Sequence, residues 1–403
     1  MNTLAESHGS IWKNKTFITL FSSALFVSFA SQIYTLALPL LVYELTQSSE
    51  WMGWMRAVEF LPNLLLALFI GVWVDRSDKK QWSLAMLLGQ AITVFISFLV
   101  VEFLAEPLWI LFPCAFLMMA FNYGYHNARM SIQKSALSHE TQNVATARMS
   151  SLGSFMETVG PVLSGAIMLL ATIHNVFIAV ALLMLLAFWQ LKRLDVKTPI
   201  NKDKQGTFSA IKEGWQELSN EQNMWLITLA VMIINTTGAV FWIQAIYYAK
   251  ADLGLNAVGV SYLIVASGLG GLIGAFSADK LRKRWGLGWL LIISIALESI
   301  GFVIPLVMEN QTALIAGFFW VSAVGLYSSI CIWSYRQEAF DVSVLGRVNG
   351  ITGSLFKLLM PFGLAGSGYL TSLIGIQWLF VGCFVTQLLT AFWLMTTSVR
   401  SIR

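Results

Sequence analysis

Gly71-Val72-Trp73-Val74-Asp75-Arg76-Ser77-Asp78-Lys79-Lys80 closes an apolar run about one membrane thick and turns abruptly into charge. The pattern returns in worn form as Ala275-Phe276-Ser277-Ala278-Asp279-Lys280-Leu281-Arg282-Lys283-Arg284. Its acidic residue, Asp279, lies 204 positions after Asp75 in a chain of 403. That offset divides the chain into two similar halves, and a duplicated membrane protein is usually a transporter.

Composition agrees with a membrane setting. Hydrophobic residues make up 57% of the chain and charged ones 11%, against roughly 45–50% and about 25% in soluble domains. The apolar residues come in blocks of about 20, each able to cross ~30 Å of hydrocarbon as a helix. Strand-like alternation is absent, and backbone amides in lipid must be satisfied within their own segment, so an all-α polytopic protein is expected. Cys114, Cys331 and Cys383 fall within apolar runs without paired spacing, which predicts core thiols and no metal site.

Twelve spans are expected at 17–44, 51–73, 81–102, 107–132, 146–170, 175–191, 224–248, 257–277, 287–308, 312–334, 347–373 and 376–397. With the N-terminus in the cytoplasm, nearly every loop Lys and Arg falls inside, Arg336 among them, and only Lys250 outside. Both termini are then cytoplasmic, and the polar start of the chain reads as a tail, not a signal peptide. The expected units are a six-helix bundle over 1–191, a linker over 192–222 and a second six-helix bundle over 223–403. Within the linker, Phe208, Ile211, Trp215 and Leu218 recur at helical spacing. They form either an amphipathic helix on the inner membrane face or an extension of span seven.

Gly71-x-x-x-Asp75-Arg76-x-x-Lys79-Lys80 resembles the signature loop of the major facilitator superfamily, and the span count and long linker agree with it. Asp78 stands where that family usually has Gly, and Asp tolerates a left-handed turn. The resemblance implies a cytoplasmic gate built from Gly71, Asp75, Arg76, Lys79, Lys80, Asp279 and Lys280. Gly71 would let helices approach, and Asp75 would latch onto a helix N-terminus or a basic residue. The alternative is a set of solvated charges that only fix topology. Gly153, Gly160-Pro161 and Gly165 resemble the motif of the superfamily's exporters, against the plainer reading of a kinked packing helix. The stretches from Phe208 to Trp215, from Gly268 to Gly274 and from Leu345 to Gly350 are similar to the branch holding the enterobactin exporter and macrolide efflux proteins.

Ionisable residues inside spans are costly and mark function. Glu59 and Glu157 are the candidate proton carriers. Arg56, Arg129 and Lys357 are the candidate cations for a charge pair or for substrate, with Asn63 one turn from Glu59. The superfamily's arrangement sets helix two against helix eleven, which implies a Glu59–Lys357 pair, either switching or static. Glu298 is expected to be a packing residue. The same arrangement implies a cavity lined by Gln32, Tyr34, Asn122, Tyr123, His126, Asn235, Trp242, Gln244, Tyr327 and Trp333.

The histidines lack metalloprotease spacing, and there is no Gly-x-Ser-x-Gly or phosphate-binding loop, so an enzyme is not expected. The expected function is a proton-coupled exporter in the bacterial inner membrane, a multi-pass protein acting as a monomer. It would work by alternating access on a small-molecule solute, with the proton gradient in place of a cofactor and no nucleic-acid partner. The three intramembrane cations point to a carboxylate-rich siderophore. Macrolide or multidrug efflux is the alternative.

Overall fold

A computed structural model describes residues 11–170, 172–196 and 206–402. Among these the chain folds into helices α1 (Lys15–Thr46), α2 (Ser49–Arg76), α3 (Lys79–Phe103), α4 (Leu108–Ala136), α5 (His139–Leu170) and α6 (Val176–Lys192). They are followed by α7 (Gly206–Asn220), α8 (Gln222–Ala251), α9 (Ala257–Trp285), α10 (Leu287–Val303), α11 (Pro305–Met308) and α12 (Gln311–Ala339). The last three are α13 (Val342–Leu355), α14 (Met360–Ile374) and α15 (Ile376–Met395).

Nine segments among the described residues are long and apolar enough to cross a membrane. They lie on α1, α3, α4, α6, α8, α9, α10 with α11, α12 and α15. The other expected spans fall on α2, α5 and the α13–α14 pair. The run expected at 347–373 is not one helix but two, separated by turns at 356–359, and the run expected at 287–308 is interrupted before Pro305. Proline lacks the N–H that a continuous ladder needs.

The first six long helices pack among themselves, α1 on α5 and α6, α3 on α4 and α6, and α2 on α4. From α8 onward a second group forms, with α9 on α12, α10 on α12 and α15, and α8 on α14 and α15. Phe241 of α8 anchors that group, its ring centroid 4.9, 5.1 and 5.6 Å from those of Phe302, Phe380 and Phe318. The groups meet along two seams, α2 against α14 and α5 against α9.

The two ends of the bundle differ in charge. Glu44, Glu50, Glu102, Glu106, Asp252 and Glu309 lie at one end with Lys250, while Arg76, Lys79, Lys80, Lys280 and Lys283 lie at the other. We call these the acidic and the basic end.

Helix α7 is a separate element, not an extension of α8. It ends at Asn220, and Glu213 on it pairs with Arg347 of α13 at 2.6 Å.

At the signature loop, Asp78 corrects the expected left-handed turn. Its φ of −62° is ordinary, and it caps α3 by accepting from Gln81 N–H at 3.0 Å. Asp78→Ala is expected to cost about 1 kcal/mol and Asp78→Gly only a few tenths. Thermal unfolding in detergent would show this ordering, and the reverse ordering would mean that the turn, not the cap, selects Asp.

Candidate functional site

A cavity of about 340 Å³ opens between the groups, lined by Gln32, Arg56, Phe60, Trp242, Ser267 and Met360 among others. Ser267 also borders a larger space of about 650 Å³ between α5, α9 and α12, which runs on toward the basic end past Ala275 and Ile330. At the acidic end the groups are joined. Ser49 Oγ donates to Gly368 O at 3.1 Å, and Ser372 Oγ to Glu50 Oε1 at 2.6 Å. Close by, Tyr43 and Tyr247 rings meet at 5.8 Å and Lys250 Nζ lies 5.9 Å from the Tyr43 ring.

This seal depends on glycine. A Cβ on Gly368 would stand 2.5 Å from Ser49 O, and one on Gly53 would stand 2.5 Å from Leu364 O. Both are backbone contacts that no rotamer change relieves. Ser49-x-x-x-Gly53 and Gly368-x-x-x-Ser372 are small-xxx-small patterns, a signal present in the sequence.

At the sealed side of the cavity, Arg56 Nη1 donates to Glu59 Oε2 at 2.8 Å, with side-chain exposures of 14% and 1%. Glu59 Oε1 is buried without a hydrogen-bond partner. The guanidinium lies 5.3 Å from the Phe60 ring and 5.5 Å from Trp242, so it is held by charge on one side and by π faces on the others. The expected Glu59–Lys357 pair is therefore not made. Arg56 is one turn away on the same helix and takes the carboxylate. Lys357 sits in the break between α13 and α14, where its charge and that of Arg129 both act on His126. Among the described residues no carboxylate lies within ion-pair distance of Lys357 or Arg129. Among the described residues Arg129 Nη1 donates to Met149 Sδ at 3.2 Å, and its Nε is unpartnered. Asn235 of α8 braces the break by donating to Phe356 O at 3.1 Å.

These features have a common architecture elsewhere. The sequence profile of the Major Facilitator Superfamily matches residues 20–363. The chain belongs to that superfamily. It is a multi-pass membrane transporter, not an enzyme.

One curated relative is the multidrug efflux pump Tap of Mycolicibacterium fortuitum, 25% identical over 170 residues, which is 41% of this chain and 40% of that protein. The match thus spans two-fifths of the relative's length. Among solved structures, a bacterial homologue of the iron transporter ferroportin in its inward-facing state superposes with a TM-score of 0.72. It has 16% identity, with 96% of this chain and 99% of that one covered. The nucleoside transporter NupG gives 0.70 at 13% identity, covering 94% and 98%. Identities this low show the fold alone.

Within the superfamily fold, the expected lining residues divide. Gln32 and Trp242 border the cavity. Tyr34 does not; it is buried against Phe177, 5.8 Å between rings. Gln244 is also packing, donating to Ser367 Oγ and accepting from Thr371 Oγ1, both at 3.1 Å. Asn122 ties α4 to Ser31 and Gln90. Tyr123 packs with Ile70 and Val74, Tyr327 bonds Ser277 at 2.7 Å, and Asn63 is half-buried on α2. Trp333 is exposed and offers its ring to Arg336.

Two glycine expectations are corrected. Among the described residues nothing lies within 4 Å of a Cβ on Gly71 or Gly153, so neither brings those helices together here. Gly160 does, but against Gln32 of α1 in its own group, 2.7 Å from the Cβ position, not against the opposite group. The side chains of Asp75, Asp279 and Glu157, with Pro161 and Gly165, lie outside the described residues. Of the gate's bases, Arg76 and Lys280 are exposed, Lys80 is half-buried and Lys79 is buried.

Proposed function

We propose that this transporter exports an amphipathic organic solute in exchange for protons, working by alternating access in the bacterial cytoplasmic membrane. The supporting observation is the Arg56–Glu59 pair at the sealed side of the cavity. The positive-inside rule assigns the basic end to the cytoplasm, so the cavity faces the interior and the acidic end is closed. On this reading the chain makes twelve crossings and has both termini in the cytoplasm. The Gly160-Pro161 resemblance supports the outward direction.

The pair sets the sign of coupling. A cationic amphiphile can displace Arg56 from the carboxylate and from the faces of Phe60 and Trp242. A proton on Glu59 removes the charge that holds it, so proton and cation exclude each other, as antiport requires. An anion that takes Arg56 needs Glu59 protonated instead, so it loads together with the proton. Drug-like cations therefore suit the pair better than the siderophore expected from counting intramembrane bases, and the likeness to an efflux pump supports the same reading.

A second reading, export of a carboxylate siderophore, is favoured by Lys357, Arg129 and His126. They offer an anion a site that leaves Glu59 and Arg56 together. Proteoliposomes under an imposed pH gradient separate the two. Proton-driven movement of ethidium, with no movement of a citrate-type siderophore, is the expected result. Movement of the siderophore alone would favour the second reading, and insensitivity of both to the gradient would remove antiport.

A further inference from the structure

Arg336 of α12 reads in the sequence as a cytoplasmic loop charge, yet it is 1% exposed and is the largest fully enclosed side chain among the described residues. No acid pairs with it there. Its Nη1 donates to Thr352 Oγ1 at 2.6 Å, while Nε and Nη2 have no partner. The guanidinium lies 4.0 Å from the Trp333 ring and 5.6 Å from that of Phe356. Thr352 belongs to the last turn of α13, and Phe356 is its C-cap. A buried cation thus sits where the helix presents its negative end, immediately before the break that carries Lys357.

A second unpaired group lies on the same helix. Asn349 Oδ1 is buried without a partner, one turn before Thr352 on the same face. Arg336 has donors to spare and Asn349 an acceptor to spare. Each orphan carries a desolvation cost in the present arrangement, and a shift of α13 along α12 by about one turn would join them.

We infer that Arg336 is a positioning residue for transport. It holds the broken helix α13–α14 through Thr352 when the acidic end is closed and through Asn349 when that end is open. The inference rests on the alternating-access reading. In it, the contact disfavours the closed arrangement, and the position of Lys357 follows that of α13.

The test reads conformation and needs no solute. Ser49→Cys places a thiol in the acidic-end seal, and its labelling by a membrane-impermeant maleimide from outside reports how often that end opens. Cys114, Cys331 and Cys383 are all buried and give little background. Arg336→Met removes the orphan donors at similar volume and is expected to slow labelling roughly fivefold or more. Asn349→Ala is expected to slow it in the same direction, with native thermal stability. Arg336→Lys, which keeps the charge but loses the fork, should fall with Met and not with the parent. Labelling in the parent that neither Arg336→Met nor Asn349→Ala changes would overturn the inference and leave alternating access standing. No labelling in the parent would overturn both.

Discussion

Glu59→Gln is expected to abolish solute movement driven by a pH gradient, by on the order of a hundredfold or more. Taking one partner from a buried ion pair costs about 3–5 kcal/mol, because the other charge stays behind without compensation. At about 1.4 kcal/mol per factor of ten, that covers two decades in any step that needs the pair. Here the charge left behind is Arg56, which lines the cavity and also touches Phe60 and Trp242. Glutamine keeps the acceptor and the shape, so the protein is expected to fold with reduced thermal stability. Adding Arg56→Gln should restore part of that stability and none of the coupling. This separates a proton carrier from a static strut, since a strut would recover both together. Full gradient-driven transport in the single variant would remove Glu59 from the mechanism.

The architecture was legible because it rests on coarse quantities. Blocks of about 20 apolar residues, the placement of Lys and Arg, and the return of an Asp-Lys loop after 204 positions survive errors of several residues in any boundary. Pairings inside the bundle were not legible, because each depends on which face of a helix a residue occupies. Arg56 and Glu59, three residues apart, were close enough in the sequence to pair on one helix. The superfamily's arrangement, however, sets Lys357 on the facing helix, which makes it the competing partner. The expected span at 347–373 concealed the break at 356–359, and with it the turn that takes Lys357 toward His126. Tyr34, Asn122 and Gln244 are polar or aromatic residues on helices that the superfamily's arrangement sets around the cavity, yet such side chains in a bundle also serve to tie helices together.

Arg336 shows the same limit from the other direction. A basic residue two positions beyond the end of an expected span looks like a loop charge, yet α12 runs on to Ala339 and Arg336 is enclosed. Taken together, the seam and the break locate where this fold spends its polar residues. Arg56 and Glu59 stand on α2, Lys357 in the α13–α14 break, and Arg336 on α12 against α13. Enclosed charge is not confined to them, since Lys79 on α3 and Glu298 on α10 are buried as well.

The second large effect is expected at the seal. Gly368→Leu places a branched side chain where a single Cβ already stands 2.5 Å from Ser49 O and from Glu50 Cα. Overpacking of this kind costs about 1–3 kcal/mol even where neighbours can yield, and these neighbours are backbone. The acidic end can then close only by forcing α2 from α14, which also breaks the bonds of Ser49 to Gly368 and of Ser372 to Glu50. The population is expected to move toward the state open at that end by roughly ten- to a hundredfold. A Glu50→Cys, Ser372→Cys pair measures it directly. Oxidative cross-linking should be fast with glycine at 368, slower with alanine and nearly lost with leucine, while each variant still reaches the membrane. Unchanged cross-linking in Gly368→Leu would mean that the two helices do not cross at this point. Glu59 and Arg56 share one helix, so exchange of protons with the outer side should survive in this variant while return to the inner side fails. A carrier held in that way is expected to bind solute from outside and export none.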